Sequence, residues 1–328
     1  MRVLLIGGTG SMSSRIAELA VQGGHDVMVA TRGRRSFIEQ LPVRMLQLER
    51  AELRAHAGEL ADFAPEAVVD SICFEPARAE DLVALFPEAR RVALVSSVDV
   101  YGEEVGAMPV TEERPVAPVT AYAKGKAESE RVVLAGLGKR ATVFRPSHML
   151  GRGFLTTSLW SRSNYLVDRL RKGKPIPAID GGRNLMTPVY ALDVARWVVA
   201  SFDDPAADGE TFNAVGAETV TQRAYYECIA DILGVDARLV AVPSQVFRRH
   251  IAAPSQFNVH RPYSAAKVVA RLGHRHAGTL RLMLEETVRH MLAHGLVKDC
   301  ADDPFDDALV TALLRHEDEL GVLLAIRT

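Results

Sequence analysis

The chain has 328 residues, 48% of them hydrophobic, which is enough to bury one large core or two linked ones. A formal net charge of −2 gives no electrostatic footprint for nucleic acid or an acidic membrane. The three cysteines (Cys73, Cys228, Cys300) are too scattered for a disulfide framework or a zinc site, the opening MRVLLIGG is not a signal peptide, and no apolar run reaches membrane-spanning length, so a cytoplasmic protein is expected.

In chain order, RVLLIG, DVMVAT, VRMLQL, AVVDSI, RVALVSS and ATVFRP read as buried strands. Between them SRIAELAVQG, AELRAHAGELADF, ARAEDLVALF and YAKGKAESERVVLAGL carry apolar residues at helical spacing. That alternation predicts an α/β fold, a doubly wound parallel sheet with helices on both faces. Beyond Gly151 the rhythm loosens. SNYLVDRLRKGKPIPAI reads as a helix and an extended segment, TPVYALDVARWVVASF as a strand running into a helix, and TQRAYYECIADILGV as a helix. TLRLMLEETVRHMLAHGL and DALVTALLRHEDELGVLL read as closing amphipathic helices, with ADDPFDD as a solvated linker before the last. The expected division is a dinucleotide-binding domain over 1–150, with 184–215 returning to it, and a smaller, mostly C-terminal substrate-binding region over 151–183 and 216–328.

VLLIGGTGSMSSRIAELA places Gly7, Gly8, Thr9 and Gly10 between a strand and a helix. A tight turn there lets backbone N–H groups at the helix start hold a pyrophosphate, and Gly7, Thr9, Gly10, Ser11 and Met12 are the candidate contacts. Ser13 takes the third small position, where glycine is commoner. After the second strand, TRGRRS offers no carboxylate for a ribose 2′-hydroxyl; Arg32, Arg34 and Arg35 suit a 2′-phosphate instead, so NADP is preferred over NAD. Glu49, after the third strand, is either a partner for the adenine amino group or an ordinary helix-start carboxylate.

The fifth strand ends in Ser96 and Ser97, where an open α/β sheet binds its ligands. Tyr122 and Lys126 lie four apart, on one face of the next helix. A tyrosine with an ordinary pKa of about 10 is a poor base at neutral pH, and a neighbouring ammonium stabilises its phenolate. Ser97, Tyr122 and Lys126 are the candidate catalytic residues, the serine hydroxyl sharing the substrate oxygen while Tyr122 moves the proton.

GGTGSMS, VSSVDVYG, YAKGK, VFRPSHMLGRG, TPVYALDVA and GETFNAVG occur in an order that resembles the extended short-chain dehydrogenase/reductases of the NAD-dependent epimerase/dehydratase family, which act on nucleotide sugars. The resemblance covers most of the chain, to about residue 295. It implies a Rossmann-type fold, with the chemistry at Ser97, Tyr122 and Lys126. It also implies cofactor contacts from the backbone around Ile72 and Cys73 and at Pro146, after Arg145. His148 and Asp99 fall where the family meets substrate, while Arg162, Asn164, Tyr165 and Arg183 fall where it binds a nucleotide diphosphate. A homodimer through the helix of Tyr122 and Lys126 is implied too, with Val132, Val133 and Leu134 available to its face or to an internal one. In dehydratases of the family an aspartate and a glutamate follow the catalytic serine or threonine; Val98 and Asp99 stand there, so elimination of water is not expected.

His274 and His276 invite a metal, but no third ligand has a recognisable spacing, and none is expected. Cys73 reads as a small buried hydrophobe, Tyr101 and Trp160 as packing residues. The functional expectation is an NAD(P)-dependent epimerase or ketoreductase acting on a secondary alcohol or ketone of a nucleotide sugar. The alternatives are an NADPH-dependent ketoreductase of a non-nucleotide substrate, and a non-catalytic NADP-binding or RNA-associated protein like some chloroplast relatives with TRG loops.

Overall fold

Uninterrupted apolar strands need cover on both faces of a sheet, and in the computed structural model they have it. The structure describes residues 1–33, 38, 40–103, 106–157, 159, 163–250 and 259–325. Its first half runs β1 (Arg2–Ile6), α1 (Ser11–Gln22), β2 (Asp26–Thr31), β3 (Arg44–Gln47), α2 (Ala57–Phe63), β4 (Ala67–Asp70), α3 (Pro76–Leu85), β5 (Arg91–Val95), α4 (Ala121–Leu137) and β6 (Ala141–Pro146). With the later strand Thr211–Ala214 these form one parallel seven-stranded sheet, ordered Thr211–Ala214, β6, β5, β4, β1, β2, β3. Alternate residues serve opposite faces. Val3 and Leu5 join a core with Ile16 of α1 and Val194 and Trp197 of the helix Ala191–Ala200. Leu4 and Ile6 join another with Leu60, Leu82 and Val133.

The strand order reverses between β1 and β4, whose ends are level: Ile6 pairs with both Ala30 and Asp70. The loops after β1 and β4 therefore lie side by side at the carboxyl edge, the position where sheets of this kind take a ligand.

The chain divides into two units: Met1–Met149 with Thr187–Ala217 and Tyr263–Thr279, and Leu150–Met186 with Glu218–Pro262 and Leu280–Thr328. In the second, Ile176–Ile179 pairs in parallel with Leu239–Val242, and Leu185–Met186 antiparallel with Val220–Thr221. Helices Leu166–Arg171, Gln222–Leu233, Ser244–His250, Leu280–Ala293 and Phe305–Ala325 belong to it as well.

Several expectations need correction. Tyr263–Thr279 belongs to the first unit, not the substrate region, because Val268 and Leu272 of the helix Ala266–Leu272 pack into the sheet's core. AELRAHAGELADF is not one helix: its residues up to His56 belong to the 3-10 helix Arg50–His56, and only Ala57–Phe63 is α-helical. ADDPFDD is no plain linker. Its Phe305–Asp307 start the last helix, Asp303 accepts from Phe305 N at 3.3 Å, and Asp307 accepts from Arg169 at 2.7 Å. Acidic groups suit a helix start, where the dipole is positive. Of the residues offered to either face of α4, Val133 is buried in its own core, and Val132 and Leu134, partly buried, pack against that core.

Candidate active site

The loop after β1 is a close fit. Gly7 has φ +85°, and a Cβ there would come within 2.8 Å of Ile72 Cγ2 and Ser71 Oγ; a Cβ on Gly8 would meet Val29 Cγ1 at 2.5 Å. Only glycine allows the backbone this near its neighbours. Ser13 closes the loop: its hydroxyl donates to Gly7 O at 2.7 Å and accepts from Gly10 N at 2.9 Å. A serine at the third small position thus acts as a staple rather than a gap. Thr9 and Thr31 share a hydroxyl contact at 3.2 Å, Met12 is buried, and the first turn of α1 holds no acidic residue. Ser71 Oγ donates to Ile6 O and Gly7 O, tying the β4 loop, with Ile72 and Cys73, to the glycine loop. A tight glycine turn packed onto its neighbours, at a helix N-terminus without acidic residues, fits a dinucleotide pyrophosphate.

Arg32 and Glu49 follow β2 and β3, both more than half exposed, with Arg32 Nε 4.0 Å from Glu49 Oε2. Glu49 also starts the 3-10 helix, its N–H donating to Glu52 at 3.0 Å. Arg34 and Arg35 lie outside the described residues. Arg50, next to Glu49, is committed to Asp70 at 2.8 Å and Asp81 at 3.3 Å.

At the end of β5, Ser97 caps the 3-10 helix Val98–Tyr101, and its Oγ accepts from Asp99 N at 3.2 Å. That bond uses a lone pair and leaves the hydroxyl proton for another acceptor. Thr120 caps α4, its hydroxyl accepting from Ala123 N at 3.0 Å, which starts the helix just before Tyr122. Tyr122 is 44% exposed; Lys126, one turn on, is 1% exposed. Lys126 Nζ donates to Val95 O at 2.7 Å and lies 6.0 Å from the Tyr122 ring centre and 4.6 Å from that of Phe74. Burial lowers its pKa to about 8, against the pull of Asp70, Cys73 and Glu130. The Cys73 thiol is pushed the other way, to about 11, again by burial, which suits a packing role rather than a thiolate.

Behind this pair lies a buried network that no sequence spacing announced. Arg145 of β6 grips Glu130 of α4 with two bonds, at 3.0 and 2.6 Å, and donates to Tyr101 OH at 2.8 Å. Tyr101 OH donates to Asn213 Oδ1 at 2.7 Å, Asn213 Nδ2 to Val110 O, and Asn213 N to Glu112. Tyr101 therefore packs and bonds. The one sequence hint was Glu130 itself, eight residues after Tyr122 and four after Lys126 on the same face.

The other candidates scatter. His148 is half-buried, its carbonyl accepting from Val189 N at 2.8 Å. Pro146 ends β6 beside Ala214. Asn164, Tyr165 and exposed Arg183 lie in the second unit, Tyr165 at the start of the helix Leu166–Arg171; Trp160 and Arg162 are outside the described residues. His274 Nε2 lies 3.1 Å from Asp193 and His276 Nε2 2.8 Å from Val215 O, and both rings meet Trp197 edge-on. These histidines pack and bond to their own unit. Among the described residues one set of possible metal ligands converges, Asp168, Asp299 and Cys300. Lys172 Nζ stands between its carboxylates at 2.8 and 2.6 Å and supplies the cation.

No helix among the described residues is long and apolar enough to cross a membrane. Residues 3–214 match the sequence model of the NAD dependent epimerase/dehydratase family. The chain is 25% identical over 248 residues to the 2'-dehydrokanamycin reductase of Streptomyces kanamyceticus, covering 75% of this chain and 70% of the reductase. It is 25% identical over 234 residues to the chloroplast stem-loop binding protein of 41 kDa b of Arabidopsis thaliana, covering 67% of this chain and 60% of that one. In fold it is similar to the crystal structure of UDP-glucuronic acid 4-epimerase from Bacillus cereus, solved in complex with UDP-glucuronic acid and NAD. The TM-score is 0.74 at 15% identity, over 90% of this chain and all (100%) of that one.

Proposed function

This chain belongs to the NAD dependent epimerase/dehydratase family of enzymes, and from that premise we propose that it is an NADP-preferring epimerase or ketoreductase acting on a secondary alcohol or ketone of a sugar, with a nucleotide sugar as substrate. The observation that carries the reading is the buried Lys126 ammonium one helical turn from half-exposed Tyr122, at the carboxyl edge of the sheet. A bound nicotinamide dinucleotide supplies or accepts the hydride. The proton is the protein's task. In the reducing direction Tyr122 donates its hydroxyl proton to the ketone oxygen, Lys126 stabilises the phenolate that remains, and Ser97 gives its hydrogen bond to the same oxygen. Oxidation runs the same transfers backwards.

Gly7, Thr9, Gly10, Ser11 and Met12 would hold the pyrophosphate, and Ile72, Cys73 and Pro146 would flank the cofactor. Arg32 with Arg34 and Arg35 would meet a 2′-phosphate, and exposed Glu49 the adenine. His148, Asp99, Asn164 and Arg183 are carried as substrate contacts on the family resemblance. Similarity to the 2'-dehydrokanamycin reductase supports a second reading, reduction of a ketone on a sugar that bears no nucleotide. The likeness to the stem-loop binding protein would suit RNA association, but a binding role needs none of Ser97, Tyr122 and Lys126. The test is incubation of purified protein with NADPH and a panel of keto sugars, nucleotide-linked and plain. A reduced sugar with matching loss of NADPH, or an epimerised sugar with no net loss of cofactor, is expected; absence of turnover with either cofactor and every class would contradict it.

A further inference from the structure

Phe74 follows β4 in the stretch Cys73–Glu75 and is 50% exposed although its ring is wholly apolar. Three observations give that exposure a purpose. One face of the ring lies over the Lys126 ammonium, 4.6 Å from nitrogen to ring centre, within the range of a cation–π contact. The same ring stands 6.0 Å from that of Tyr122, tilted by 45°. Its backbone is fixed by α4 itself, since a Cβ on Gly125 would come 2.1 Å from the Phe74 carbonyl oxygen. Glycine at 125 thus lets the helix carrying Tyr122 and Lys126 press directly on the Phe74 main chain.

We propose that Phe74 is a positioning residue of the Tyr122–Lys126 pair, its ring face holding the ammonium against Val95 O and keeping water from it. The proposal rests on the acid–base roles given above only for its consequence; the contact itself is independent of them. Lys126 otherwise has Val95 O as its hydrogen-bond acceptor. The charged and titratable groups around it are Asp70 and Cys73 from β4 and its loop, and Tyr122 and Glu130 from α4. Two of these charges are already balanced, Asp70 by Arg50 and Glu130 by Arg145 of β6. Of the two aromatic rings that meet the cation, Phe74 is the nearer, at 4.6 Å against 6.0 Å for Tyr122, and so the one that both favours it most and excludes solvent.

Two substitutions separate these effects. Phe74→Leu keeps the apolar cover and removes the π face, so Lys126 should lose its proton more readily, by about tenfold in the ionisation constant. Phe74→Ala opens the ammonium to water and should shift its titration upward, toward the ordinary lysine value. Phe74→Tyr should restore the wild-type behaviour. Because Phe74 is half exposed, all three should fold. The measurement is an NMR titration of the full, cofactor-free protein labelled at the lysine side chains, with the Lys126 signal assigned from Lys126→Met. Opposite shifts for leucine and alanine support the proposal. An unmoved signal in Phe74→Leu, or shifts of the same sign in both, overturns it. Since no substrate or cofactor is added, this outcome is separate from whether keto sugars turn over.

Discussion

Glu130 and Arg145, on α4 and β6, face each other through two hydrogen bonds with both side chains almost wholly buried. The pair fastens the helix bearing Tyr122 and Lys126 to the sheet. Removing one partner leaves an uncompensated buried charge, so Glu130→Ala should cost about 3 kcal/mol or more of unfolding free energy. Replacing both, as Glu130→Leu with Arg145→Met, should cost less than the single change. Urea denaturation of the three proteins checks this; a single variant within about 1 kcal/mol of wild type would mean that the pair holds little.

Lys126 makes stability depend on pH. Burial lowers its folded pKa to about 8 from the ordinary lysine value of 10.5. Below pH 8 the ammonium exists in both states and the folded protein bears the whole burial penalty. Between 8 and 10.5 the unfolded chain keeps a proton that the folded one has released, so stability rises with pH, and above 10.5 the penalty is gone. The stability of cofactor-free wild type relative to Lys126→Met should therefore climb through that window, by an amount on the order of 3 kcal/mol. A difference that is flat with pH, or that falls, would contradict the assignment.

Cofactor choice turns on the groups after β2. Arg32→Ala should weaken NADP binding by roughly tenfold, the scale of one lost charge-assisted contact, and NAD binding far less. Adding Arg35→Ala should widen the gap. Calorimetric titration with both dinucleotides is the check, and tighter binding of NAD to the unmodified protein would refute the preference.

Val98 packs with Val100, Tyr101 and Val215 in a buried apolar cluster. It offers no proton to a departing hydroxide, although Asp99 beside it retains a carboxylate. Enzyme, cofactor and candidate nucleotide hexoses should thus give redox or epimer products and none lighter by one water. Mass spectrometry showing steady loss of water would require an acid from another residue.

What the sequence disclosed, and what it hid, follows from distance along the chain. The parallel sheet and the glycine loop were legible because each signal is local: a run such as VLLI, or Gly7 to Gly10 between a strand and a helix. Tyr122 and Lys126 were legible for the same reason, being one turn apart. The network behind them was not, since Tyr101 and Asn213 are separated by 112 residues and no periodicity links them. Phe74 gave no sign at all, because a lone aromatic in a loop reads as chance exposure. The strand Thr211–Ala214 was not read as one, because its TFNA lacks the unbroken apolar run that marked β4 at the same length. His274 and His276 raised a metal by proximity to one another, but their actual partners, Asp193 and Val215, lie far upstream where no spacing points to them.

In the proposed chemistry Tyr122 moves the proton while Lys126 and Ser97 support it. Tyr122→Phe deletes one hydroxyl from a half-exposed ring, so fold and dinucleotide affinity should be kept. The decisive measurement is ketone-dependent NADPH oxidation by wild type and Tyr122→Phe at saturating cofactor, on whichever keto sugar the wild type accepts. Turnover in the variant should fall by roughly two orders of magnitude or more, with the dissociation constant for NADP unchanged. A variant that turns over at a near-normal rate would contradict the account.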